Sequence, residues 1–436
     1  MNRIVISEIG SERATVGDGN KIVTLDGKTH VVWQDISRAG YLNQVRTLDT
    51  GTEMWSSPVT LGHGLDNHAR PILTVDTEGF LHVVLGGHNS PVTWLRSARS
   101  NDSSEWSDPS PIGEGTYPVL ICGPDDTLYL TLRANNHAGV DFYAKPKDGP
   151  WELRSRIVKN AEEYRAAYAG FHMQMMMGTD EVIQAVIDFY EGQDEVGRGL
   201  HQAVCYVKSE DGGRSWLKAD GSAVDAPARP EGMDVLARST ETRVEELPRP
   251  EIANVGMLVD SRNRGHILYL SHENAPGELF IVTIDAQGQA RTPIHPDIES
   301  AWPDMRVTDA RATIDSEDTI TILATLSAYN DEWIDNRPSR AMNMVERKDQ
   351  RLVMISTKDF GVTCEVQSLV DPGTSVNAAN LETPVGANRL VGGTMPTFVY
   401  FEGSKGYPGG DTYYNKPVEE MLAAGEFWEN LVVLRR

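Results

Sequence analysis

Two histidines, each next to an asparagine, are the residues of this chain best suited to acid–base chemistry. His68 follows Asn67, and His88 stands before Asn89 and directly after the glycines at 86–87. Histidine takes up and releases a proton near neutral pH, and paired glycines leave room for a ligand beside the backbone. We therefore expect one catalytic site that holds both histidines. Packing is the alternative role for either histidine taken alone.

Further polar residues could complete such a site. Arg133 ends the hairpin at 117–133, the third in the chain, much as His88 ends the second at 70–86, and its charge could neutralise an acidic group. Tyr164 and Tyr168 stand shortly before His172, and a tyrosine hydroxyl can act as an acid or a base. The alternatives are an exposed salt bridge for the arginine and ordinary loop anchoring for each tyrosine.

A repeated hairpin pattern must position these residues. An apolar strand, a tight turn with Asp or Gly and a second alternating strand recur at 70–86, 117–133, 172–188, 254–270 and 309–325, with weaker copies at 20–34 and 380–394. Repeats of this kind are typical of propellers, and seven blades of about 60 residues need about 420 residues. The sequence predicts an all-β, seven-bladed β-propeller that occupies residues 1–436 as one domain. A six-bladed propeller with an appendage is the alternative.

Aligning the hairpins puts one polar residue at the start of each first strand. These residues are Asn20, Arg70, Tyr117, His172, Asn254 and Asp309. First strands line the central channel of a propeller, so this register predicts a polar ring at the channel mouth. We expect substrate to contact Asn67, Arg70, Asn89, Tyr117, Tyr168, His172 and Asn254. The alternative is that strand ends simply tolerate polar residues.

An Asp-box supports the propeller. Residues 209–216 read S-x-D-x-G-x-x-W, and degenerate versions occupy 47–55 and 357–364. The pattern predicts an aspartate that accepts backbone N–H bonds, a glycine with positive φ and a tryptophan wedged between sheets. Closure should pair residues 3–7 with 430–434, which removes exposed sheet edges. The stretch 220–251 should form an extended loop.

Composition limits the partners. The formal charge is 40 minus 63, or −23, without any Lys/Arg run, which disfavours nucleic acid and anionic membranes. There is neither a signal-peptide pattern nor an apolar stretch of about 18 residues. We expect a cytoplasmic protein as written, or a secreted or periplasmic one if a leader was removed. The sequence requires no cofactor and leaves a structural metal ion and the oligomeric state open.

The hairpin from Asp66 to Asn89, with Phe171-His172 and the Asp-box, resembles the BNR-repeat propellers that include ulvan lyases and related rhamnose–glucuronate lyases. The resemblance implies a polysaccharide lyase that cleaves an acidic, uronate-containing glycan by β-elimination. It also implies a site of two histidines, a tyrosine and an arginine. His68 and His88 match directly and Arg133 follows, whereas Leu132 stands where a tyrosine is expected. Tyr164 is then the first choice, before Tyr168 and Tyr117.

Such chemistry suits these residue types. Elimination removes a proton α to a carboxylate, so the site must neutralise that carboxylate, supply a base and protonate the leaving oxygen. Arginine or histidine can do the first, and histidine or tyrosine the others. A sialidase-like glycoside hydrolase and a non-catalytic carbohydrate-binding propeller are the alternatives, although no FRIP-like motif precedes the repeats.

Overall fold

The computed structural model describes residues 2–11, 13–15, 19–37, 40–161, 169–192, 199–239, 252–271, 277–285, 288, 298, 300, 302–303, 305–328, 350–370, 374, 376–403 and 430–436. These residues form thirty strands and two short 3₁₀ turns, Asn135–His137 and Pro230–Gly232. The predicted all-β class is therefore confirmed. In the described part of the chain, no helix is long and apolar enough to cross a membrane.

The described strands form five sheets, and most neighbours within a sheet are consecutive strands paired antiparallel. They are β1 (Arg3–Gly10), β2 (Ile22–Leu25), β3 (Lys28–Ser37), β4 (Gly40–Asp49), β5 (Met54–Trp55), β6 (Val59–Gly64), β7 (Pro71–Val75), β8 (Leu81–Leu85), β9 (Ser90–Arg99), β10 (Asp102–Trp106), β11 (Ser110–Cys122), β12 (Leu128–Ala134), β13 (Gly139–Lys145), β14 (Glu152–Lys159), β15 (Ala169–Met177), β16 (Ile183–Gly192), β17 (Gly199–Ser209), β18 (Trp216–Leu217), β19 (Ala223–Val224), β20 (Asp234–Arg238), β21 (Ile252–Val259), β22 (Gly265–Ser271), β23 (Glu278–Ile284), β24 (Met305–Ile314), β25 (Ile320–Ala328), β26 (Arg351–Thr357), β27 (Glu365–Ser368), β28 (Val376–Leu381), β29 (Phe398–Glu402) and β30 (Asn430–Arg435).

Consecutive antiparallel strands form groups, and the group β7–β8–β9–β10 runs from buried strands to more exposed ones. In the group β7–β8–β9–β10, every residue of β7 and β8 is buried, whereas β9 and β10 alternate with exposed positions. Strands covered on both faces read as continuous apolar runs, which explains why these hairpins stand out in the sequence. The first strands β2, β7, β11, β15, β21, β24 and β28 contact one another in that order.

The predicted pairing of residues 3–7 with residues 430–434 is confirmed. β1 pairs antiparallel with β30, with Arg3 opposite Arg435 and Val5 opposite Val433. A side-chain link joins the first strand of this group to β2, because the Asn380 side chain accepts the backbone N–H of Lys21 at 3.2 Å. The chain therefore leaves neither terminal strand as a free edge.

The Asp-box has its predicted geometry. One Asp211 carboxylate oxygen accepts the backbone N–H groups of Arg214 and Ser215 at 3.0 and 2.9 Å, and Gly213 has φ +85°. Trp216 is buried and meets the Phe142 ring of the preceding group edge-on at 5.2 Å. The tryptophan thus joins two neighbouring sheets.

Two sequence predictions were wrong in detail. The copy at 380–394 is not a hairpin, since β28 pairs instead with β29. Pro384 has no N–H to donate to a hairpin partner. The Val385 carbonyl instead accepts the backbone N–H of Cys122 at 2.7 Å, at the end of β11 that lies away from the histidines. The predicted loop 220–251 is partly strand, because β20 pairs with β17; residues 240–251 lie outside the described chain.

Candidate functional site

His68 and His88 share the carboxylate of Asp66. Their rings stack with 3.9 Å between centroids. Nδ1 of His88 lies 2.5 Å from one Asp66 oxygen, and Nδ1 of His68 lies 3.2 Å from the other, which also accepts the His68 backbone N–H at 2.7 Å. The structure thus brings together the two predicted histidines and adds Asp66, which the sequence prediction omits. An aspartate that accepts the N–H two residues on is a local Asx turn, and Asp-x-His was the available signal.

The two glycines that precede His88 lie in closely packed backbone. A Cβ on Gly87 would lie 2.4 Å from the Ser90 carbonyl oxygen, and one on Gly86 would lie 2.9 Å from the Arg70 carbonyl oxygen. Neighbouring backbone therefore fills the space beside both glycines. The expectation that they make room for a ligand was wrong.

The electrostatics of the triad define its protonation. Burial raises the pKa of Asp66, but hydrogen bonds from His68 and His88 outweigh burial and hold that pKa well below its usual range. Burial, with the nearby positive charge of Arg13, lowers the pKa of His68 well below the usual value. Asp66 is thus an ionised acceptor, so each facing Nδ1 carries a proton. In the neutral form of either ring, Nε2 then holds a lone pair.

Tyr117 lies beside the histidine pair in an unusual backbone conformation. Its φ is +56°, at the irregularity in pairing between Thr116 and Val119 of β11 and their partners in β12. Such conformations of bulky residues are costly and concentrate at functional sites. The ring lies 6.1 Å from that of His68 and meets His172 edge-on at 4.8 Å.

The guanidinium group of Arg133 packs against the ring of Tyr117. Its guanidinium carbon lies 4.7 Å from the centroid of the Tyr117 ring, and one of its nitrogens donates to the Thr116 hydroxyl at 3.0 Å and to the Asn89 side-chain oxygen at 3.4 Å. Arg133 is only 1% exposed, so the alternative of an exposed salt bridge was wrong. Asn89 is exposed, with φ +48°.

A third histidine, His137, belongs to the same neighbourhood and is missing from the sequence prediction. Its Nδ1 donates to the Ala169 carbonyl at 3.1 Å, and Arg133 donates to the same oxygen at 3.4 Å. Burial and the charge of Arg133 lower the pKa of His137 to about 4. Asn136 and His137 both have positive φ, at 54° and 56°. The only local signal was a histidine in a polar turn directly after a predicted site strand.

Other predicted substrate contacts lie in the wall of the site. The Asn254 side chain donates to the His172 carbonyl at 2.5 Å, while Asp188 accepts the backbone N–H groups of both residues at 3.1 and 3.3 Å. Asn67 and Arg70 are buried. His172 and Tyr117 are half-buried, and Asn89 is the most exposed of the predicted substrate contacts that the structure describes. Tyr164 and Tyr168 lie outside the described residues.

The remaining ring positions are also tied to backbone or to neighbours. The Asn20 side chain donates to the carbonyls of Ile22 and Leu73, which links two neighbouring first strands. Asp309 pairs with Arg311 at 3.0 Å.

Asp66, His68 and His88 also have the residue types of a metal site, with ligand atoms within 4.8 Å of one another. Zinc–nitrogen and zinc–oxygen bonds of about 2.0–2.2 Å in a tetrahedron separate neighbouring ligands by about 3.3 Å. The 2.5 Å between His88 Nδ1 and Asp66 is instead a hydrogen-bond distance. The triad as it stands is a hydrogen-bonded unit, and a cation would have to displace its protons.

Comparison with known proteins defines the class. The model of the BNR repeat-containing family matches residues 26–295, which include the whole histidine hairpin, Tyr117 and Arg133. The chain belongs to this family, and its all-β fold is propeller-like. The resemblance to ulvan lyases expected from the hairpin is confirmed.

The more specific similarities are to ulvan lyases. An ulvan lyase of Alteromonas sp. (strain LOR) is 25% identical, and Ulvan Lyase-PL25 of Pseudoalteromonas sp. (strain PLSV) is 26% identical, each over 149 residues that cover 28% of this chain and 30% of the relative. The match thus spans about a third of either relative. The solved PL25 ulvan lyase, also determined bound to -[GlcA(1-4)Rha3S]-, superposes with a TM-score of 0.67 at 15% identity, over 92% of this chain and 93% of that structure.

Proposed function

We propose that this chain is a polysaccharide lyase that cleaves a uronate-containing glycan by β-elimination. The observation that carries the proposal is the stacked histidine pair on Asp66, with Tyr117 and Arg133 beside it. This arrangement combines lone pairs for a base, a hydroxyl for an acid and a buried positive charge within one site. The similarity to ulvan lyases supports the same reaction class.

The proposed substrate is an acidic glycan with glucuronate next to a neutral or sulfated sugar. The PL25 structure bound to a glucuronate–rhamnose unit supports this choice. The chain as a whole is strongly acidic, so an anionic ligand needs a local excess of positive charge. Arg133 and Arg13 supply such charge near the histidines.

In the proposed reaction, Nε2 of His88 removes the proton α to the carboxylate. His88 suits this role because its side chain is 23% exposed, whereas that of His68 is 6% exposed. The ionised Asp66 stabilises the imidazolium that forms. Positioned acid–base catalysis contributes about 10²–10⁴-fold to the rate.

Tyr117 is the proposed acid that protonates the leaving oxygen. Arg133 sits against its ring rather than at the open surface, so we propose that the arginine acts on Tyr117 and on the developing enolate through its field. Asn89 accepts from Arg133 through its side-chain oxygen, and we propose that its amide N–H group donates to the uronate carboxylate.

We also propose that the fold is a seven-bladed propeller formed by residues 1–436 as one domain. Seven first strands in contact order and the closing pair β1–β30 support this count. The channel mouth near Tyr117 would then be the substrate entrance.

The test is incubation with a panel of uronate-containing polysaccharides while the ultraviolet absorbance of the unsaturated product is followed. We expect product from at least one glucuronate-containing glycan. Saturated reducing ends without an absorbance gain would favour a glycoside hydrolase, and binding without either product would favour a carbohydrate-binding propeller. Either result would overturn the lyase proposal.

Tyr117→Phe tests the assignment of the acid. We expect turnover to fall by about 10²–10⁴-fold while substrate affinity changes little, because only the hydroxyl is removed. Tyr143→Phe, on β13 away from the site, is the matched control and should keep full activity. Loss of activity in Tyr164→Phe with an active Tyr117→Phe variant would move the role to Tyr164.

A further inference from the structure

Four histidines in the described part of the chain lie within hydrogen-bond distance of an aspartate, but they do not all use the same ring nitrogen. His82 and His266 offer Nε2 to Asp76 and Asp260 at 3.0 and 3.1 Å. Both rings are buried, and Trp94 donates its indole N–H to Nδ1 of His82. These two pairs hold turns together in the interior.

The pairing at the site is reversed. His68 and His88 both turn Nδ1 to Asp66, which leaves both Nε2 atoms directed away from the carboxylate. One carboxylate therefore accepts a hydrogen bond from each of two stacked rings, which lie at opposite ends of one hairpin.

We propose that Asp66 is a positioning residue that keeps His68 and His88 in the Nδ1–H tautomer, so that His88 presents an unprotonated Nε2 to substrate. This inference rests on the proposed lyase function for its consequence in turnover. The tautomers themselves are a property of the free protein.

The hydrogen bonds of Asp66 predict what an amide would do in its place. The oxygen near His68 accepts two donors, the backbone N–H at 2.7 Å and Nδ1–H at 3.2 Å. In Asp66→Asn, the amide oxygen should keep this position and the NH₂ group should face His88. Nδ1 of His88 must then accept, and its proton must move to Nε2. The variant keeps the side-chain volume but removes the base.

The experiment is two-bond ¹H–¹⁵N correlation of the imidazole nitrogens near neutral pH, with His68→Ala and His88→Ala used to assign the signals. We expect Nδ1–H for both rings in the unaltered protein. In Asp66→Asn, His88 should become Nε2–H while His68 stays Nδ1–H. A neutral His88 that already carries Nε2–H in the unaltered protein would overturn the proposal, even if the variant failed to fold.

Turnover gives the second readout. Asp66→Asn should lower kcat by about 10²–10⁴-fold with a nearly unchanged KM, since a wrong tautomer removes the base but not the binding surface. Asp76→Asn is the matched control: it should change only the His82 signals and keep the activity. A fully active Asp66→Asn enzyme would overturn the positioning role. A protein that yields no unsaturated product would instead remove the lyase proposal and leave the tautomer result to be judged by itself.

Discussion

The double-mutant cycle of His68 and His88 tests whether they act as one unit. Both rings stack on each other and bind one carboxylate, so removing either disrupts the same structure. His68→Ala and His88→Ala should each lower turnover by about 10²–10⁴-fold. The turnover of the double variant should be only slightly lower than that of the less active single variant, because groups that act together do not contribute additively.

The two single variants should differ in stability. His68 is buried, so its loss leaves Asp66 without one hydrogen-bond partner and should cost about 1–3 kcal/mol. With an unfolding entropy of about 2 cal/mol/K per residue over 436 residues, this corresponds to a fall in Tm of about 1–3 °C. His88 is more exposed, and its removal leaves His68 on Asp66, so we expect about 1 kcal/mol or less.

The assay combines initial rates of unsaturated product with Tm measured by differential scanning calorimetry on the same preparations. His82→Ala is the control, because it removes a buried, Asp-paired histidine of the same hairpin outside the site. It should lower Tm and keep the rate per folded molecule. Additive losses of activity, or losses that only follow the folded fraction, would refute the shared site.

Two further predictions concern stability. Burial lowers the pKa of His30 to about 4, so the unfolded chain binds a proton below about pH 6.5 that the folded chain does not, and stability should fall by about 1 kcal/mol per pH unit from pH 6.5 towards 4. The free energy of unfolding, measured with urea at several pH values across this range, should depend less steeply on pH in His30→Gln. An equally steep pH dependence in the variant would exclude His30 as the cause. Trp216→Ala should cost about 3–5 kcal/mol because it empties the contact between two sheets, whereas Trp106→Ala, on a partly exposed outer strand, should cost clearly less.

Sequence reasoning worked best where one local pattern controls one structure. Strands such as β7 and β8 are buried on both faces, so they are mostly apolar and are visible without any tertiary information. The Asp-box was equally accessible, since the hydrogen bonds of its Asp211 carboxylate all lie within seven residues. The hairpin at 380–394 was predicted wrongly because its composition is typical of a turn. In the structure, the segment instead pairs with β29 and bonds to the end of β11.

The residue types at the site could be predicted, but most of their relations could not. His68 and His88 stood out by their neighbours in the sequence, whereas Asp66 looked like an ordinary turn residue and His137 like part of a polar loop. Arg133 was expected to face the substrate, yet it is buried under Tyr117.

The sequence by itself determined the β-hairpin repeats, the closing strand pair and the histidines of one hairpin. Tertiary structure alone decided that Asp66 serves both rings and that Tyr117 lies over Arg133. The reason is physical: alternation and turn chemistry act over a few residues, but these contacts join neighbouring groups of strands. They depend on an irregularity in the pairing of β11 and on a positive φ at Tyr117, and neither follows from the preferences of the residues involved.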